Sequence, residues 1–247
     1  MPPHEPLVCL AALPPVTLYA LGGFIVFMFF VQIVIARWEK RMVWPYGSPE
    51  AEPQFPDPSG YGKRWVRNAF EAGFTFYGWC PDLKGPRYRV SYGLLAPPSG
   101  DCFVVVGVGT IFSLQLRGTW IYSRTIDGQV FYTTDHQSCV EIDPARRWRN
   151  QLTKTDNFPA LLKSHRETVR ARGIAIQPFD TGHEVEQFKQ LRQERYESMA
   201  RAGLITFVDP SSTHFKYTLR GASKSAALNY SIGLARGVTS GRLPKIA

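Results

Sequence analysis

The stretch "LYALGGFIVFMFFVQIVIARWEKR" (residues 18–41) decides how the rest of the chain is read. From Thr17 to Ala36 there is no charged side chain, and only Thr17, Tyr19 and Gln32 carry a polar group. At about 1.5 Å of rise per residue this run makes a helix of about 30 Å, the thickness of the hydrocarbon core of a bilayer. A helix satisfies its internal backbone hydrogen bonds locally, as lipid demands. Gly22 and Gly23 weaken a helix in water but are common in membrane spans. Arg37, Trp38, Lys40 and Arg41 follow at once, and an indole beside long cationic side chains suits the lipid–water boundary. A core helix of a soluble protein rarely stays apolar on every face over such a length. A cleaved signal peptide has a basic start and a shorter apolar run, whereas residues 1–16 hold neither Lys nor Arg. The expectation is a short tail (1–16) followed by a retained transmembrane helix (17–36). All Lys and Arg residues lie after the span. The positive-inside bias therefore places the N-terminus outside and the C-terminal domain in the cytoplasm, or on the matrix side of an organelle.

The chain has 247 residues, enough beyond the span for one sizeable core. Its 44% hydrophobic and 13% aromatic content argues for a folded domain. A net charge of +9 points to anionic lipid or an acidic protein partner, besides the bilayer itself. No zinc finger, RNA-binding signature or compact basic run is present, so nucleic acid is not an expected partner. Four cysteines (Cys9, Cys80, Cys102, Cys139) without a CxxC or a Cys–His cluster imply no metal and no disulfide framework.

Residues 37–63 contain five prolines and read as an extended juxtamembrane linker that lifts the domain off the membrane. The domain proper is expected over 64–209, opening on the aromatic-rich "RWVRNAFEAGFTFYGW" (64–79) as a short packed helix. Strand-like runs at 87–95, 102–109, 110–116, 119–126 and 129–135, with "SCVEI" (138–142), predict an antiparallel β-meander over 87–142 with one buried and one wet face. Asp127-Gly128 is the strongest turn signal, and Arg117-Gly118 a second. Helices are expected at 157–172, capped by Asn157 and stopped by Gly173, and at 182–202, with Thr181 and Glu184 as a capping box and Gly203 as the stop. Short strands are expected at 174–179 and 204–209. From Pro210 to Ala247 there is no acidic residue. A basic amphipathic helix starting near Pro210 would set Phe215, Leu219, Ala222, Ala226 and Tyr230 on one stripe and Lys216, Arg220 and Lys224 on another. Those three cations are candidate contacts to an anionic surface. The alternative is a terminal helix that packs on the domain with solvated cations.

Catalytic signals are thin. "GVGTIF" (107–112) lacks the third glycine and following helix that a phosphate needs. "TTDHQSCVEID" (133–143) gathers reactive types, but His136 and Cys139 on one strand would point to opposite faces, so His165 would have to serve as base. The fold class is thus α+β: one N-terminal transmembrane helix, a β-meander domain and C-terminal helices. The favoured role is a non-catalytic interaction or scaffold protein, or a subunit of a membrane assembly, with no cofactor. A lipid- or ligand-sensing β-domain, with Lys84, Arg87 and Arg89 as its visible loop cations, is the alternative. A membrane-bound enzyme using Cys139 or nearby carboxylates is the second.

Overall fold

The computed structural model describes residues 14–43, 50–55, 57, 59–83, 88–111, 114–135, 144–145, 147–211 and 213–227. The tail 1–13, "SCVEI", His136, Cys139, Lys84, Arg87, Tyr230 and the end of the chain lie outside the described residues. The fold is α+β. Helix α1 (Pro15–Trp38) is the one described helix long and apolar enough to cross a membrane. Nearly all of it is exposed, with Phe24, Phe27 and Phe30 each about 60% accessible. Proline in its first turn suits a helix start, where the missing N–H has no acceptor to lose.

The main sheet has six strands in sequence order: β2 (Thr75–Leu83), β3 (Tyr88–Ala96), β4 (Phe103–Ile111), β5 (Leu114–Arg124), β6 (Val130–Thr134) and β7 (Trp148–Leu152). Neighbours are antiparallel except β6 and β7, which run parallel. The sheet is therefore mixed, and the expected pure meander is corrected at its far edge. Helices α2 (Tyr61–Glu71) and α3 (Phe158–Ala171) cover one face, over Val104, Val106, Val108 and Ile121. The first half of α4 (Glu184–Arg201) covers the other, Phe188 lying over Phe103, Tyr122 and Tyr132. Both faces are thus buried, not one. That is why β4 reads "FVVVGVGTI" without alternation, and why every residue of β6 is buried.

Two expected turns differ in outcome. The Asp127-Gly128 turn forms: Gly128 adopts φ +74°, its N–H donates to the Thr125 carbonyl (3.0 Å), and Thr125 N–H donates to that of Gln129 (2.9 Å). Arg117-Gly118 is not a turn. It sits inside β5, with Arg117 beside Val108 and Gly118 beside Gly107. Gly107 and Gly109 likewise lie in mid-strand between β3 and β5, so "GVGTIF" forms no phosphate loop. Helix α3 is capped by Asn157, whose side chain accepts from Ala160 N–H at 2.9 Å, and it ends at Gly173 with φ +59°. The Thr181 capping box is not made, because α4 begins at Glu184 with His183 in the cap position and no side-chain cap bond.

A second, three-stranded sheet has the order β1-β9-β8: β1 (Arg41–Met42), β8 (Ile205–Phe207) and β9 (His214–Tyr217). The second half of α4 packs on it through Tyr196 and Met199, against Val43, Ile205 and Phe215. Helix α4 therefore joins the two sheets.

Candidate membrane-proximal basic site

The chain does not leave α1 through a free linker. Three residues past the helix, Arg41 pairs with Phe215 and Met42 with His214, and Val43 N–H donates to the Thr213 carbonyl at 2.9 Å. Val43 is 2% exposed, and Arg192 of α4 reaches its carbonyl at 3.4 Å. The linker expected over 37–63 is thus corrected at its start: Arg41–Met42 is an edge strand of the folded domain, and Val43 is buried in it. Glu50 is also tied down, exchanging both backbone hydrogen bonds with Trp79 of β2 at 2.9 and 2.7 Å. Ala36, in the last turn of α1, is 8% exposed.

The expected C-terminal helix is also displaced. Residues 214–217 form β9, and a helical segment runs over 219–227. Phe215 is therefore a core strand residue, 2% exposed, with its ring 4.7 Å from that of Tyr196. A β-branched-poor, aromatic "HFKY" pairs well as a strand once β1 and β8 flank it; helical spacing alone could not show that. The helical segment packs on the domain through Gly221, Ala222 and Ala226, all buried. Thr218 N–H donates to the Leu204 carbonyl at 3.0 Å just before it.

This arrangement brings Lys216, from the C-terminal end of the domain, to the end of α1. Arg37 and Trp38 end α1, and both are exposed. Extending the β1–β9 register by one position sets Lys40 level with Lys216, and both are exposed. Arg220 and Lys224, one turn apart over 219–227, are exposed too. Arg37, Lys40, Lys216, Arg220 and Lys224 have no ion-pair partner among the described residues. Arg41 differs. It is half-buried, pairs with Glu39 at 2.8 Å and lies 5.0 Å over the Tyr217 ring, so it locks β1 to β9. Tyr217 and Val43, which hold the joint, were not singled out from the sequence. A two-residue strand next to a proline-rich run gives no periodic signal.

A close approach fixes the helical segment. A Cβ on Gly221 would lie 1.8 Å from the Leu204 carbonyl oxygen, a backbone atom that cannot swing aside. Gly221→Ala is expected to cost about 1–3 kcal/mol and to push residues 219–227 off the domain. Hydrogen exchange at Ala222, whose N–H bonds the Thr218 carbonyl, checks it: unchanged protection would refute the prediction.

His165 is 1% exposed, with Nε2 2.9 Å from Ser123 Oγ and Nδ1 2.8 Å from Thr133 Oγ1. Both ring nitrogens are engaged, so it has no free position from which to act as a base. Cys80 and Cys102 are buried free thiols, and burial pushes both away from the reactive thiolate. Among the described residues no three His, Cys, Asp or Glu side chains are grouped to hold a metal. His183 is exposed in the cap position of α4. His214 bonds Asp209 at 3.1 Å.

No family model matches this chain, and no curated protein or solved structure it was compared with does either.

Proposed function

We propose that this chain is a single-pass membrane protein whose C-terminal domain serves as a non-catalytic interaction platform or as a subunit of a membrane assembly. One observation carries the reading. Lys40 and Lys216, neither with an ion-pair partner among the described residues, lie level at the joint where an exposed and largely apolar helix, ending in Arg37 and Trp38, enters the domain. Like charges level with each other across two strands repel, and an anionic head-group layer at the end of a span would relieve that repulsion. Arg37, Trp38 and Lys40 would sit at the interface, with Lys216, Arg220 and Lys224 as a second row. The absence of Lys and Arg before the span favours the cytoplasmic or matrix side for the domain. Because β1 ties α1 into the small sheet, the domain is held close to the bilayer. That confinement raises its effective concentration toward a partner in the same membrane.

The test uses the full chain. It is expected to remain in membranes after alkaline extraction. In nanodiscs containing anionic lipid, residues 214–227 should gain hydrogen-exchange protection over zwitterionic discs, and lose it in high salt. Lys216→Gln, Arg220→Gln and Lys224→Gln should each weaken this contact by about 1 kcal/mol. Release of the full chain by alkali would sink the anchor, whereas salt-independent protection would sink the lipid contact alone.

A further inference from the structure

We infer that the cleft between the β5–β6 turn, strand β7 and the end of α3 binds a small organic anion, its oxyanion held by Arg149 and Arg172 and its apolar body resting on Ile126 and Ile174. The inference does not depend on the membrane reading.

The fold brings the two arginines together from different elements. Phe131 of β6 and Arg149 of β7 are register partners in the parallel pair, so their side chains rise from the same face of the sheet. That face is the one covered by α3, since the Phe131 ring lies 5.3 Å from His165. Helix α3 stops just beyond, and its capping residue Arg172 places its guanidinium 5.5 Å over the same Phe131 ring. Both arginines line one cleft of about 360 Å³, with the β5–β6 turn and residues 172–175 as its walls. That volume suits a small ligand.

Among the described residues the cleft sets two guanidinium charges against one carboxylate, Asp127. Neither Arg149 nor Arg172 has an ion-pair partner among the described residues. Asp127 is held by its own turn, accepting from the Thr125 hydroxyl and from Gln129 Nε2 at 2.5 Å, and it forms no ion pair with either arginine. Three of the carbonyls at the end of α3 are engaged by their own chain. Those of Thr168, Val169 and Arg170 accept from the N–H groups of Arg172, Ile174 and Gly173 at 3.0 Å each. Two planar guanidinium forks match a carboxylate or phosphate in paired hydrogen bonds. Ile126, 69% exposed at the turn, is an apolar residue at the mouth with nothing else to cover.

The test titrates the full chain, in zwitterionic nanodiscs, with benzoate and with phenyl phosphate by calorimetry. Benzyl alcohol serves as the uncharged control. The expected result is saturable binding of at least one anion, weakened at least tenfold by Arg149→Gln and by Arg172→Gln. Arg170→Gln removes a nearby exposed cation that does not line the cleft and should leave the affinity unchanged. Whichever anion binds more tightly defines the preferred oxyanion. Saturation by neither anion overturns the proposal. So does equal binding of benzyl alcohol, or an Arg170→Gln effect as large as those of the two cleft variants.

Discussion

Replacing Phe215 with alanine is expected to remove about 3–5 kcal/mol of stability and to free the end of α1 from the domain. The side chain is 2% exposed and joins three elements. It faces Tyr196 of α4 at 4.7 Å, meets Tyr217 edge-on at 5.6 Å, and its backbone is the register partner of Arg41. Truncation leaves a cavity under a strand of only two residues, which has little else to hold it. The readout is twofold: urea unfolding of the full chain in micelles, and exchange of the Val43 N–H that bonds the Thr213 carbonyl. Val43 should lose protection while β3 and β4, central in the other sheet, keep theirs. A variant with Val43 still protected would show that β1 is held by something other than this ring. Leu219→Ala, at a residue 58% exposed, should change stability by no more than about 0.5 kcal/mol.

That joint also marks where the sequence stops being legible. The long apolar helix, α3 with its Asn157 cap and Gly173 stop, and the Asp127-Gly128 turn are all written in local chemistry, and each stands where its residues put it. The errors come from pairings between distant residues. "LQLRGTWIYSR" reads as two strands with a turn at Arg117-Gly118, yet Gly118 lies beside Gly107 in an unbroken ladder. There a paired glycine leaves room for the Trp120 ring, which a Cβ on Gly107 would meet at 2.9 Å. "WRNQL" carries too many polar residues to look like a strand, but it forms a parallel edge on β6. Polar side chains on β5 and β6 imply a wet face only when they lack partners. Ser123 and Thr133 are buried because His165 reaches both. The cations of the basic site were readable one by one. That Lys40 and Lys216 lie level was not, since it rests on 41–42 pairing with 214–215.

The His165 site gives the second large effect. Ser123 Oγ donates its one proton to the Asp101 carbonyl at 2.7 Å, so it accepts from His165 Nε2–H. Nδ1 is then the lone pair that accepts from the Thr133 hydroxyl. This chain of donors works only with a neutral ring. Burial pushes the His165 pKa down to about 4, offset in part by the Asp101 carboxylate, while the Arg166 charge adds to the fall. The unfolded chain takes up this proton near pH 6.5, well before the folded one does. The stabilisation from a neutral His165 is therefore complete above about pH 6.5 and lost as the pH falls toward 4, to a total of about 3 kcal/mol. Urea midpoints measured from pH 7.5 to 4 should fall more steeply for the native chain than for His165→Gln, which keeps a donor and an acceptor but cannot titrate. Other groups contribute equally to both proteins, so the difference in slope isolates the histidine. Parallel slopes would mean that the folded ring takes up its proton as readily as the unfolded one, with Ser123 or Thr133 turning to receive it.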